Sequence, residues 1–159
     1  MRGHFGIGVV HVKTPENIGT LMRSAYAFGA AYVFTVGRRY KREASDTTKT
    51  WQHIPLYHYT TVEDLKYHLP FCTRLIAIEL IDGAVKLPAY EHSQQACYLL
   101  GAEDHGLSQE TLDLCHDIVQ IPGASRCLNV ATAGSIVLYD RITRAHLRSA
   151  AGKLYPVRL

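Results

Sequence analysis

Three segments of the chain carry residues whose types and spacing could do chemistry. In Pro15-Glu16-Asn17-Ile18-Gly19-Thr20-Leu21-Met22-Arg23, Asn17 stands where a helix N-cap belongs and Arg23 falls beside an apolar stripe. Such a guanidinium either grips a phosphate or snorkels into water, and spacing does not choose between the two. In Gly101-Ala102-Glu103-Asp104-His105-Gly106, two glycines flank an acidic centre. Glycine removes the Cβ that keeps a backbone away from a ligand, although turns of this composition also simply join a strand to a helix. The third segment runs from Ile121-Pro122-Gly123 through Cys127-Leu128-Asn129 into Ala131, Ala133, Gly134 and Ser135. Its small residues permit close packing, either of a helix on a sheet or of a ligand. Cys127 is a conceivable nucleophile, but the pattern assigns it no His-Asp pair, and a buried inert thiol is the expectation.

The elements that must position these groups alternate in type. A strand over 7–12 stops at Lys13-Thr14-Pro15, a helix spans Ile18 to Phe28 with Ile18, Leu21, Met22 and Ala25 on its apolar face, and a second strand covers 31–36. A helical crossover between two strands makes them parallel. Residues 38–53 are polar and irregular. Further strands are expected at 55–59, 74–78, 96–100 and 118–121, and helices from the Thr60-Thr61-Val62-Glu63 capping box to before Pro70, from Ser108 to Cys115 and from Val130 to Leu147. Strands alternating with helices define an α/β fold around a parallel sheet, with helices on both faces. All three chemistry-bearing segments follow strands, and the carboxyl ends of strands are where open α/β sheets bind ligands.

Composition narrows the partners. With 159 residues the chain is read as one domain, 1–159, with no room for a separate recognition module. No apolar run approaches the ~18 to 20 residues needed to cross a bilayer, so no membrane role is expected. The net charge of +3 is compatible with a polyanion. Its densest basic stretch is Arg38-Arg39-Tyr40-Lys41-Arg42, followed by Lys49 and Trp51, a pattern suited to tracking a nucleic-acid backbone with an aromatic to stack on. Arg141, Arg144 and Arg148 share one face of the last helix, where they touch the same polyanion or merely solvate that face. The four cysteines form no CxxC pair and the nine histidines no HExxH, so no metal site is expected and a reducing cytoplasm fits best.

Together the three segments, in this order and spacing, resemble the three motifs of the SpoU (TrmH-type) RNA ribose 2'-O-methyltransferases of the SPOUT superfamily. The matching residues are Asn17, Gly19, Arg23, Ala27 and Gly29; then Leu100, Gly101, Glu103, Gly106 and Leu107; then Ile121-Pro122, Leu128-Asn129-Val130-Ala131 and Ile136 to Asp140. The resemblance implies a parallel sheet whose C-terminal part threads a deep trefoil knot, with S-adenosylmethionine bound in it. It implies cofactor contacts at Ile78, Glu79, Leu100, Gly101, Glu103, Ile121, Cys127, Leu128 and Asn129. It gives Arg23 the central catalytic part and contact with the RNA, supported by Asn17, Glu103 and Asn129. It also implies a homodimer and a substrate RNA, tRNA in preference to rRNA, with the wobble ribose as a candidate target. An rRNA methyltransferase and a non-catalytic RNA-binding protein of the same fold are the alternatives. One departure stands out: Cys127 occupies a position that is usually Ser in such families. Which RNA and which nucleotide are methylated does not follow from the sequence.

Overall fold

A computed structural model describes residues 3–40, 50–102, 104–123 and 127–150, with side chains through 147. Seven parallel strands form one sheet: β1 (His4–Val10), β2 (Tyr32–Val36), β3 (Leu56–Tyr59), β4 (Arg74–Ile78), β5 (Val85–Lys86), β6 (Gln95–Leu100) and β7 (Asp117–Gln120), in the order β3-β2-β1-β6-β4-β7-β5. The interior strand β1 pairs Gly6 to Val10 with Tyr32 to Val36 on one side and His4 to Val9 with Gln95 to Leu100 on the other.

Helices cover both faces, because the strands are buried on both. Phe5, Ile7 and Val9 point to one face, where helices α1 (Pro15–Ala27) and α4 (Val130–Ala150) close the larger core. Val10, Phe34, Leu75 and Leu99 point to the other, under α2 (Val62–His68) and α3 (Gln109–Leu114). The apolar stripe of α1 is as expected: Ile18, Leu21 and Met22 are fully buried, each worth about 1.5–3 kcal/mol of removed apolar surface. At Gly134 the two helices of the first face touch so closely that a Cβ would lie 2.4 Å from Leu21 Cδ1. The hydroxyl oxygens of Ser24 and Ser135 meet at 2.7 Å along the same seam.

The sequence expectations shift at several boundaries. β1 ends at Val10 because His11 turns the chain at φ 49°. Helix α1 begins at Pro15, with Thr14 as its N-cap, so Asn17 lies in the first turn and is not the cap. Proline at the first helical position costs no hydrogen bond, because that N–H has no partner within the helix in any case. The short edge strand β5 and the 3-10 turns at Thr50–Gln52 and Leu87–Ala89 were not foreseen; pieces this short carry no periodicity.

Candidate active site

The carboxyl ends of β4, β6 and β7 open into a cleft against the start of α4. Ile78, Leu100, Ile121, Leu128 and Val130 supply apolar walls, and Glu79, Gly101 and Cys127 complete the lining. Leu80, Ala102, Gly106 and Ala133 also line it; Gly106 and Ala133 belong to the glycine-flanked and small-residue segments read from the sequence, whereas Leu80 had no signal.

Two devices shape this cleft. The backbone at Gly101 and Gly106 is so close that a Cβ on Gly101 would come 2.3 Å from the Gly106 carbonyl carbon, and Ala102 pairs with Gly106 as an isolated antiparallel bridge. Gly106 itself has φ 62°, the left-handed region that a side chain disfavours. The second device is Glu79, whose carboxylate accepts from the N–H of Leu80 at 3.0 Å and of Leu107 at 2.8 Å. It thereby pins the loop after β4 to the loop after β6. A charged acceptor on a backbone donor is among the stronger hydrogen bonds, so this carboxylate fixes the width of the cleft.

Next to the cleft, Asn129 joins helices α4 and α1. Its Oδ1 accepts from the N–H of Ala131 at 2.9 Å and of Thr132 at 3.2 Å, which caps α4, and its Nδ2 donates to Asn17 Oδ1 at 2.9 Å. Asn129 is therefore turned toward α1 and is not part of the lining. Arg23 lies further along α1, near the surface, with one of its terminal nitrogens 3.3 Å from the Thr20 hydroxyl. Glu103, expected to serve both cofactor and catalysis, lies outside the described residues, as do Lys41, Arg42 and Lys49.

The remaining expectations divide. Arg38 and Arg39 are exposed, while Trp51 is half-buried and packs against the larger core. Cys127 is exposed, contrary to the buried thiol expected, because its loop lies at the mouth of the cleft and not under a helix. Cys97 is the buried thiol, and burial pushes it up to about 12. The arginines of α4 also differ from expectation. Arg141 is buried, donating to Ser93 O at 2.8 Å, Tyr98 Oη at 2.9 Å and Gln94 O at 3.1 Å, with its guanidinium 4.4 Å from the centre of the Phe5 ring. Arg144 donates to Asp140 at 2.7 Å and to the Pro88 carbonyl. Both fasten α4 to the loop before β6. The side chain of Arg148 lies outside the described residues.

A single parallel sheet with helices on both faces and a cleft at its carboxyl edge is the doubly wound α/β arrangement, which binds ligands at that edge. The profile of the SpoU rRNA Methylase family matches residues 4–139, and the chain belongs to that family. It is 30% identical over 134 residues to the tRNA (guanosine(18)-2'-O)-methyltransferase of Escherichia coli K12, covering 81% of this chain and 58% of that protein. Its fold superposes with a TM-score of 0.79 on the AdoMet-bound rRNA methyltransferase of Sinorhizobium meliloti, at 26% identity, over 92% of this chain and 58% of that one. A solved structure concerned with 2-OH methylation of C/U34 on tRNA also gives 0.79, at 22% identity, over 93% of this chain and all of the other. The chain thus spans rather more than half the length of the curated relative and of the rRNA enzyme.

Proposed function

We propose that this chain transfers a methyl group from S-adenosylmethionine to a ribose 2'-hydroxyl of RNA, with tRNA as the substrate. The observation that carries this is the juxtaposition of the Ile78-Leu100-Ile121-Leu128 cleft with the Asn17–Asn129 pair, whose Asn17 lies on the helix that presents Arg23. The cleft suits an adenosine: apolar side chains for the faces of the base, and half-buried glycine backbone at Gly101 and Gly106 for polar groups. Leu80, Leu100, Ile121, Cys127 and Leu128 would hold the nucleoside, while Glu79 fixes the two loops that enclose it. When bound, S-adenosylmethionine supplies an electrophilic methyl on a sulfonium.

The chain's own task is to make a ribose hydroxyl nucleophilic and to hold it in line. A guanidinium donates hydrogen bonds and has no acceptor, so Arg23 is no general base. Its fork grips the neighbouring phosphate and donates to the 2'-oxygen, stabilising negative charge there as the hydroxyl proton passes to solvent water. Asn17 and Asn129 hold α1 in place against the cleft. Arg38 and Arg39 are exposed beyond β2 and would meet the RNA backbone, the part also proposed for Lys41, Arg42 and Lys49.

The same proposal includes a homodimer, a cytoplasmic location and the family's C-terminal knot. Ile136, Tyr139 and Leu147 recur on one face of α4 and are exposed, and Phe28 of α1 meets Tyr139 edge-on at 6.3 Å. An exposed apolar face of this kind is what a second copy would cover. Sedimentation at micromolar concentration tests it; monomers alone would refute it. Transfer itself is tested by incubating protein, labelled S-adenosylmethionine and total cellular RNA, then locating the modified nucleotide by mass spectrometry. Label on a tRNA ribose is expected. Cofactor binding in calorimetry without any transfer would favour the non-catalytic reading.

A further inference from the structure

Helix α1 has two flanks. On one, Ser24 and the C-cap Phe28 lie along α4. On the other, the connection from β2 to β3 meets the helix at two points. Near the first turn, the Tyr40 hydroxyl lies 3.8 Å from where a Cβ on Gly19 would stand. Near the last turn, the Tyr26 ring stacks on the His53 ring, with centroids 5.5 Å apart and planes 30° apart. Gly19, Arg23 and Tyr26 follow one another at i, i+4 and i+7, so Arg23 stands between the two points on the same face.

The stack is fixed from beneath and open above. Thr50 and Ile54 are buried and Trp51 packs half-buried on the larger core, which holds the turn that presents His53. The His53 and Ile54 amides both donate to the Thr50 carbonyl, at 2.9 and 3.2 Å. His53 is nevertheless exposed, and Tyr26 is 51% exposed. A ring stacked on one face and still half exposed has a face or an edge left for a third ring.

The charges around it narrow the occupant. Arg23 is exposed one turn before Tyr26, about 5–6 Å away between Cβ atoms. Arg38 and Arg39, also exposed, immediately precede Tyr40 at the other end of the flank. Against these three guanidiniums α1 carries one carboxylate, Glu16 in its first turn. A cationic track that ends at a rigid aromatic platform is the combination that binds single-stranded nucleic acid.

We infer that the open side of the Tyr26–His53 stack binds an unpaired nucleobase of the RNA, next to the ribose that Arg23 addresses. The inference rests on the RNA methyltransferase reading and adds two residues to the substrate site. A ribose 2'-oxygen at Arg23 puts the base of the same or the adjoining nucleotide one helical turn along α1. Gripping that base keeps the ribose from turning, which is the positioning that an in-line displacement requires. Every base has a π-face, so the platform holds a base without reading its identity.

Two arms test this. The first uses a single-stranded oligouridine of about ten nucleotides carrying one 2-aminopurine, a base whose fluorescence falls on stacking. Wild type and Tyr26→Phe should bind and quench it alike. Tyr26→Leu, which keeps bulk without the aromatic face, should bind about tenfold more weakly and quench less. The urea midpoint and S-adenosylmethionine affinity of Tyr26→Leu should match wild type, because the position is exposed, and this separates lost stacking from lost fold. Equal binding and quenching by Tyr26→Leu would overturn the inference. In the second arm, an RNA that wild type methylates is made with an abasic site at the methylated ribose and at each flanking position in turn. One of these RNAs should raise KM about tenfold for wild type and hardly at all for Tyr26→Leu, which has already lost that contact. Equal rises in the two proteins, or none at any position, would overturn it as well. If no RNA is methylated, the methyltransferase reading fails, and the oligouridine still decides whether the stack takes a base.

Discussion

Asn129 donates to Asn17 at 2.9 Å, tying the cap of α4 to the first turn of α1 across 112 positions of sequence. One side chain therefore both starts the last helix and anchors the helix that carries Arg23. The two parts have different costs. Asn129→Ala removes a helix cap as well as the tie and should destabilise by about 1–2 kcal/mol. Asn17→Ala removes the tie and leaves the cap of α4 in place, and should cost about 1 kcal/mol or less. Urea unfolding of both single variants and the double variant checks this, with a coupling of roughly 0.5–1 kcal/mol between the sites. Additive costs would show that the contact contributes nothing.

Among the described residues the Arg23 side chain meets only the Thr20 hydroxyl, a weak contact at 3.3 Å, so stability should hardly depend on it. Arg23→Ala is expected to change folding free energy by less than about 0.5 kcal/mol, as for other surface substitutions. Methyl transfer should fall by a factor of about 100 or more, the size of losing a charged group that stabilises developing negative charge. S-adenosylmethionine affinity should stay at the wild-type value in calorimetry. Arg23→Lys restores charge without the planar fork and should recover only part of the rate. Wild-type turnover in Arg23→Ala would remove the role given to this residue.

The layers of the fold were legible because its strands and helices are long enough to show their periods: the Ile18-Leu21-Met22-Ala25 stripe and the apolar run of β6 both fall where the pattern put them. Most of the cleft lining was reached through motif resemblance, since Ile78, Leu100, Ile121 and Leu128 are ordinary apolar residues with no chemical signature of their own. What escaped was tertiary. The pattern gives no sign that Glu79 reaches forward to the Leu107 amide, or that Asn17 accepts from Asn129 and leaves the N-cap to Thr14. Arg141 misled for the same reason. Its spacing is that of a solvated helix face, but Gly3, Phe5 and Tyr98 form a niche there that only the folded sheet creates.

Cys127 is exposed at the mouth of the cleft, and Cys72 is exposed far from it, in the turn before β4. Both should react with iodoacetamide at neutral pH, whereas Cys97 and Cys115, whose thiols burial pushes up to about 12 and about 11, should stay inert until the protein unfolds. Saturating S-adenosylhomocysteine is expected to protect Cys127 and leave Cys72 unchanged, read by peptide mass spectrometry. Modification of Cys127 at the same rate with and without ligand would place the nucleoside elsewhere. Cys127→Ser should retain cofactor affinity, because the apolar walls and the loop backbone carry the binding.

Asp117 gives the fold a defined response to acid. Its carboxylate accepts from Arg74 Nε at 2.9 Å and from a terminal nitrogen of the same guanidinium at 2.8 Å, and from the Tyr90 hydroxyl at 2.9 Å. The Arg74 hydrogen bonds, helped by Tyr90, hold the Asp117 carboxyl below its usual range against the opposing effect of burial. A carboxyl lowered by folding stabilises the native state above its unfolded pKa of about 3.9, and that contribution is lost as pH falls through the lower native value. Because Arg74 is largely exposed, solvent screens the pair and the contribution at pH 7 should be modest, about 1 kcal/mol. Asp117→Asn is therefore expected to lower stability by that amount at pH 7. The gap from wild type should narrow below pH of about 4 as the native carboxyl takes up its proton. Urea unfolding of both proteins between neutral and acid pH measures the gap directly. A difference that stayed constant with pH would mean that the asparagine disturbs packing at the start of β7, and that the ion pair itself contributes nothing.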